Sequence, residues 1–162
     1  MVATHPTANE VWNWLDEIAD PEIPVLSITD LGIVREVEWD DAAGELEIVI
    51  TPTYSGCPAV DVIADEIRRS MNEHSIGKFR LATRLSPPWT TDWMSDRAKQ
   101  RLRDYGIAPP AHSLVQIEAG HPACPQCGSL ETKLVSRFGS TPCKALYTCS
   151  SCLEPFDAFK RH

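Results

Sequence analysis

The chain has 162 residues, of which 43% are hydrophobic and 23% charged, with a formal net charge of -8 at pH 7. That is enough for one packed core and a small appendage, and no apolar run is long enough to cross a bilayer. Arg35 is the only Lys or Arg before Glu66, most basic residues lie between Arg68 and Arg103, and the stretch beyond His121 is slightly positive; an acidic front half without a broad basic face excludes a general nucleic-acid binder and suits a partner with a basic surface.

In chain order, Thr7 is placed to cap a helix running to about Ala19, with Val11, Trp14, Leu15 and Ile18 on one face, and Asp20-Pro21 stops it. After the irregular Pro21-Glu22-Ile23-Pro24, the alternation of Ile33, Arg35, Val37 and Trp39 against Val34, Glu36 and Glu38 predicts a strand. A turn at Asp40 to Gly44 leads into a second strand with Leu46, Ile48 and Ile50 on one face, which makes a hairpin.

The next segment, Thr51-Pro-Thr-Tyr-Ser-Gly-Cys57-Pro58, opens a second helix with Pro58 at its first position, Cys57 at its cap, and Val60, Ile63, Ala64, Ile67 and Met71 toward the core. A thiol at a helix N-terminus faces the positive end of the dipole, which favours a reactive or metal-binding thiolate. The competing reading is a buried small hydrophobe, the common fate of a lone cysteine. No acid or base neighbours Cys57 in sequence, and His74 falls at the far end of its helix, which weakens a thiol-oxidoreductase reading.

A third strand is predicted over Lys78 to Leu85, with Phe79, Leu81 and Leu85 on one face and Lys78, Arg80 and Arg84 on the other. Trp89 and Trp93, in the Pro-rich stretch that follows, either pack over the sheet or anchor a partner. A short helix from about Asp96 to Tyr105 turns Ala98, Leu102 and Tyr105 inward and Arg97, Lys99, Arg101 and Arg103 outward; Gly106 ends it, and Ile107 to Ala111 reads as a linker.

The last segment holds Cys124-Pro-Gln-Cys127-Gly and Cys149-Ser-Ser-Cys152, two Cys-x-x-Cys knuckles about twenty residues apart, the spacing at which two tight turns gather four thiolates around one metal. Short strands are predicted between them, over Lys133 to Phe138 and Ala145 to Thr148. Paired disulfides are the first alternative, disfavoured because the N-terminal segment lacks a signal-peptide pattern and a cytosolic chain keeps its thiols reduced. A thioredoxin-like redox pair is the second, and neither knuckle has the strand-to-helix setting that it needs. The segment resembles a zinc ribbon. Zinc is the default ion, with a single iron or a two-iron, two-sulfide cluster as alternatives. The fold class expected is α+β, a small sheet of about three strands packed with helices over residues 1–110, followed by an all-β zinc ribbon over residues 111–162.

The run Asp20-Pro-Glu-Ile-Pro-Val-Leu-Ser-Ile-Thr-Asp-Leu-Gly-Ile-Val34, with Thr53-Tyr-Ser-Gly-Cys-Pro58 downstream, resembles the SufT-like family of iron-sulfur cluster assembly factors. Leu85-Ser-Pro-Pro-Trp-Thr-Thr-Asp-Trp93, Tyr105-Gly-Ile-Ala-Pro-Pro110, Phe138-Gly-Ser-Thr-Pro-Cys-Lys144 and Glu154-Pro-Phe-Asp157 narrow the resemblance to the D-subunit family of bacterial phenylacetyl-CoA epoxidase systems, which serve the ring-epoxidising step of aerobic phenylacetate breakdown. The resemblance implies an accessory, non-catalytic role in maturing the oxygenase or the reductase subunit, with other iron-sulfur assembly factors as further partners. It implies that Cys57 is a functional thiol carrying iron or a cluster transiently, with Asp20, Glu22 and Thr53 as helpers. The rival from another class is a scaffolding subunit in which Cys57 is inert. The family pattern has a further cysteine near the C-terminus where this chain has Lys160-Arg161-His162, so Cys143 is read as an additional thiol outside the ligand set.

Overall fold

In a computed structural model that describes residues 5–110 and 120–162, the first helix, α1 (Ala8–Asp16), begins at a reciprocal cap. The Glu10 backbone N–H donates to Thr7 Oγ1 at 3.3 Å and the Thr7 backbone N–H donates to Glu10 Oε2 at 2.8 Å. Two orphan donors of the first turn are thus satisfied from within the segment. Val11 and Leu15 are fully buried, each contributing about 1.5–3 kcal/mol of burial. The helix ends at Asp16 rather than near Ala19, because polar side chains turn the chain early. The Asp16 carboxylate accepts from Ser27 Oγ at 2.8 Å and from Thr29 Oγ1, and Ala19 bridges to Ser27.

The segment from Asp20 to Ile33 lacks regular structure yet forms part of the core. Ile23, Leu26, Ile28, Leu31 and Ile33 are each at most 2% exposed. It leads into β1 (Val34–Asp40), which pairs antiparallel with β2 (Glu45–Ile50). Asp40 Oδ1 accepts from the backbone N–H groups of Ala42 and Ala43 at the turn. The expected strict alternation of β1 fails at its start. Val34 pairs with Ile50 and Glu36 with Val49, so a bulge puts Ile33, Val34 and Val37 in the core and leaves Arg35 and Glu36 half-buried.

Helix α2 (Ala59–Glu73) buries Ile63, Ile67 and Met71 and returns the chain to β3 (Phe79–Thr83), which lies parallel to β2. The sheet order is β1-β2-β3. Glu47 opposes Arg80 across β2 and β3 and accepts from it at 2.5 Å, and Arg84 forks onto the Glu36 carboxylate at 2.5 and 2.8 Å, so the solvated face carries paired charges. β3 stops at Thr83, and Leu85, expected on the apolar face, is 58% exposed beyond the strand end. Trp89 is buried and its Nε1 donates to Leu31 O at 2.9 Å, which makes it a core residue and not an exposed anchor.

By compactness the chain divides into residues 1–89 and 90–162. The second unit opens with a 3₁₀ turn (Thr91–Trp93) and α3 (Asp96–Asp104), capped by Ser95 Oγ accepting from Ala98 N–H at 2.9 Å. Ala98 and Leu102 are fully buried, whereas Tyr105, expected inward, lies one residue past the helix and is 60% exposed. β4 (Thr132–Ser136), β5 (Lys144–Cys149) and β6 (Pro155–Phe159) form an antiparallel sheet in that order. β6 has no counterpart among the predicted strands. Ala108 donates to Asp157 O and accepts from Phe159 N–H, both at 2.9 Å. This bridge joins the stretch read as a linker to the edge of the ribbon sheet; its last residue, Ala111, lies outside the described residues. The ribbon sheet thus lies in the second unit, with Ala108 bonded to its β6 strand. The fold class is α+β, with three α-helices and two three-stranded sheets among the described residues. Among those residues no helix is long and apolar enough to cross a membrane.

Ile67 sits fully buried at the centre of α2. Ile67→Ala is expected to lower the unfolding free energy of the first unit by about 2–5 kcal/mol, read as a shifted urea midpoint; an unchanged midpoint would mean that α2 is not integral to this core.

Candidate metal centre and the Cys57 end of the sheet

The two knuckles are built alike. In the first, Gly128 N–H donates to Cys124 O and Cys124 N–H to Ser129 O, both at 2.9 Å; in the second, Leu153 N–H donates to Cys149 O at 3.0 Å and Cys149 N–H to Glu154 O at 2.9 Å. The same pair of bonds closes each turn at the same offsets. The residue after the second cysteine must then adopt a left-handed backbone, with φ +75° at Gly128 and +66° at Leu153. Glycine takes that conformation freely, whereas a leucine there is strained.

These turns bring the sulfurs of Cys124, Cys127, Cys149 and Cys152 within 4.8 Å of one another. Cys124 Sγ lies 3.7 Å from Cys152 Sγ, and Cys127 Sγ 3.6 Å from Cys149 Sγ. Bonds of about 2.3 Å from one tetrahedral ion would separate the sulfurs by about 3.8 Å, so the donor set fits a single ion. All six cysteines are free thiols in the structure.

The thiols are electrostatically unequal. The Cys149 thiol is lowered to about 6, chiefly by the Cys152 backbone N–H donating to its sulfur. The backbone N–H of Glu154 lowers Cys152, but burial and the neighbouring thiols push it up to about 12. The backbone N–H of Ser129 likewise lowers Cys127, but burial and its bonds to the Cys149 and Cys124 thiols outweigh this and leave it raised. A metal entering this site therefore displaces protons, and its affinity falls as pH falls. The apolar cluster around the site contains Ala108, Phe156 and Ala158 along with Cys124 and Cys149 themselves. With so small a core, a metal held by these thiolates would supply much of the folding energy.

Cys143 lies outside this group, buried, with Thr141 Oγ1 at 3.0 Å from its sulfur.

In the first unit, three chain segments meet the sheet at one end. Val34 opens β1 opposite Ile50, the last residue of β2; Thr51 N–H donates to Ile33 O and Arg84 N–H to Ile50 O, both at 2.8 Å. The segment leading into β1, the segment leaving β2 and the segment leaving β3 thus share that end. Cys57 lies in the second of these, 9% exposed, one residue before the Pro58 cap of α2. The sequence pattern places it at the cap itself. Its N–H donates to Tyr54 O at 3.3 Å and its carbonyl accepts from Val60 N–H at 3.2 Å. Thr53 is half-buried in the same segment. Asp20 and Glu22 belong to the first segment. The Asp20 carboxylate is buried and accepts the N–H groups of Glu22 at 2.9 Å and Ile23 at 2.8 Å, which gives it a turn-forming role. His74 caps the C-terminus of α2, a 15-residue helix away from Cys57.

Both parts of the chain have known relatives. Residues 108–160 match the PaaD zinc beta ribbon domain family, and residues 8–75 match the iron-sulfur cluster assembly protein family. The chain is 50% identical to the D subunit of the "Putative 1,2-phenylacetyl-CoA epoxidase" of Escherichia coli (strain K12), over 96% of its own length and 93% of that protein. It belongs to this epoxidase D-subunit family. The Fe-S protein maturation auxiliary factor YitW of Bacillus subtilis (strain 168) is 35% identical over 54% of this chain and 85% of its own. A crystal structure of a domain of unknown function, DUF59, from Bacillus anthracis superposes with a TM-score of 0.54 at 27% identity, covering 59% of this chain and 90% of that one.

Two segments that carry the sequence resemblance meet in the ribbon. Gly139 approaches Asp157 so closely that an added Cβ would lie 2.2 Å from Oδ1. Ser140 Oγ donates to Asp157 Oδ2 at 2.6 Å, and the buried Lys144 ammonium lies 3.8 Å from the same oxygen. Phe138 to Lys144 and Glu154 to Asp157 therefore hold each other in place. Spacing alone does not single out Asp157, whose partners Gly139, Ser140 and Lys144 are distant in sequence.

Cys149→Ser is expected to abolish stoichiometric metal binding and to unfold the ribbon sheet while the first unit keeps its urea midpoint; retained ribbon amide dispersion in the NMR spectrum of the variant would contradict this. Leu153 is 78% exposed and loses little packing on truncation. Leu153→Gly is therefore expected to leave ribbon stability unchanged or raise it by up to about 1 kcal/mol, measured by chelator-dependent unfolding.

Proposed function

We propose that this member of the D-subunit family is an accessory factor that matures the phenylacetyl-CoA epoxidase, helping to load iron or an iron-sulfur cluster into its oxygenase or reductase subunit without catalysing the epoxidation. The observation that carries this reading is the pairing of an iron-sulfur assembly unit with a PaaD ribbon in one chain, 96% of which aligns with a single epoxidase subunit. In this reading Cys57 takes up the iron or cluster as cargo, and Asp20, Glu22 and Thr53 shape the two segments around it. A position at the carboxyl ends of the parallel strands β2 and β3 supports a binding role, since ligands of open α/β sheets gather there. The ribbon docks the client.

Zinc is the ion proposed for the ribbon. Its four thiolates would complete a tetrahedral shell, which supplies folding energy and leaves no open position for chemistry. A two-iron cluster would divide the ligands between two metals, whereas all four sulfurs here lie within reach of one ion. Protein purified anaerobically is expected to be colourless with one zinc per chain; visible absorption from the ribbon would instead assign iron.

Burial of Cys57 to 9% exposure favours a second reading, in which the thiol is inert and the chain is a scaffold for the other subunits. Reconstitution separates the two. With Cys57→Ser, the maturation reading expects epoxidase metal content and activity to fall at least tenfold. Full loading together with stoichiometric retention of the variant in the complex would leave the scaffold.

A further inference from the structure

The turn from Phe138 to Lys144 contributes nothing to the four-thiol group, yet it is held from several directions. Gly139 N–H donates to Lys144 O at 2.8 Å, and Lys144 N–H to Thr141 O at 3.1 Å. Asp157 on β6 fixes the middle of the turn. It accepts from Ser140 Oγ, faces the buried Lys144 ammonium, and lies so close to Gly139 that no side chain fits there. Lys160 holds the far side, with its backbone N–H donating to Cys143 O at 3.0 Å and its ammonium to Pro142 O at 2.7 Å. A buried ion pair adds little net stability, because desolvation offsets the attraction; the converging bonds instead leave the turn few alternative shapes.

What this fixed turn presents is Phe138, 68% exposed. Single apolar side chains on a surface are ordinary, but this one is posed. Its backbone N–H donates to Ser136 Oγ at 3.2 Å, and the Lys160 ammonium lies 4.4 Å from the ring centre, over one face. Leu134 and Val135, on the edge strand β4 just before it, are exposed as well. The charge around the ring is positive in a chain whose net charge is -8. Arg137, next to Phe138, is exposed, and neither it nor Lys160 makes an ion pair among the described residues. Asp157 is occupied by Ser140 and Lys144, and Glu131, before β4, accepts from Ser151 Oγ at 3.3 Å.

We propose that the Phe138 turn is the docking element of the ribbon: the ring enters an apolar recess on an acidic surface of a protein partner, and carboxylates around that recess pair with Arg137 and Lys160. An aromatic anchor already held in its bound pose loses little freedom on association, and such anchors carry most of the affinity of an interface. A guanidinium beside it pairs well with carboxylates. Charge also decides against a second copy of this chain as the occupant, since two copies meeting through this turn would set Arg137 and Lys160 against the same cations. The inference rests on the client-docking part of the proposed function and names the surface and the partner chemistry for it.

The test uses the full metal-loaded chain, with the purified oxygenase and reductase subunits of the epoxidase as separate probes. The chain is expected to bind one of them, and Phe138→Ala to weaken that binding at least tenfold while metal content and the ribbon amide spectrum stay unchanged. Arg137→Glu should also weaken it at least tenfold, Arg137→Lys, which keeps the charge, should lose much less, and added salt should weaken the wild-type complex. Wild-type affinity in Phe138→Ala or in Arg137→Glu, or affinity indifferent to salt, would overturn the proposal. Self-association that Phe138→Ala abolishes would overturn it too, assigning the turn to a second copy. Absence of binding to either subunit would remove it together with the client-docking part of the proposed function. Cys57→Ser should bind like the wild type whether or not it supports maturation, so failure of the thiol role and failure of the docking turn give different results.

Discussion

Four sulfurs confined within 4.8 Å of one another are the constraint on which the second unit depends. Thiolates at that distance repel one another strongly, and a cation is what allows all four to ionise together. The backbone bonds that repeat in the two knuckles set the positions of the sulfurs. Two of the ligating candidates, Cys124 and Cys149, are among the most buried residues near the site, at 2% and 1% exposure. Ion and core are therefore one structure. The cost is visible at Leu153, which accepts a left-handed backbone because the turn needs it.

The first unit has a different basis. Its core is apolar, drawn from α1, the irregular segment before β1, the sheet and α2. The crossover through α2 makes β3 parallel to β2, so both strands release their chains at the same end. An antiparallel return would have sent the third segment to the opposite end. The segments bearing Asp20, Thr53 and Cys57 are thus gathered by connectivity, and the buried Asp20 carboxylate holds one of them in shape.

The four thiols lie in the knuckles, and the apolar side chains of Phe156 and Ala158 on β6 pack behind them. A chain with an acidic front half and a basic ribbon surface has two parts of different charge, each suited to a different neighbour. A closed shell of four thiolates would make a bound metal a structural support and directs the chemical question to Cys57.

Features governed by neighbours in sequence were legible from the sequence. The Thr7 cap, the turn at Asp40, the face of α2 built from Ile63, Ile67 and Met71, and the grouping of Cys124, Cys127, Cys149 and Cys152 each depend on spacing within a few residues of a turn or helix. Misplaced features depended on distant partners. α1 ended at Asp16 because Ser27 and Thr29 bind its carboxylate; Leu85 and Tyr105 were exposed because their elements stopped short of them; β6 went unnoticed because Pro155 to Phe159 form a strand only beside β5. The sequence by itself thus determined the local elements and the four-thiol ligand set. Tertiary structure alone decided that the Asp20 and Cys57 segments share an end of the sheet, that Ala108 joins the ribbon, and that Asp157 locks the Gly139 turn, because these rest on hydrogen bonds and close contacts between residues far apart in the chain.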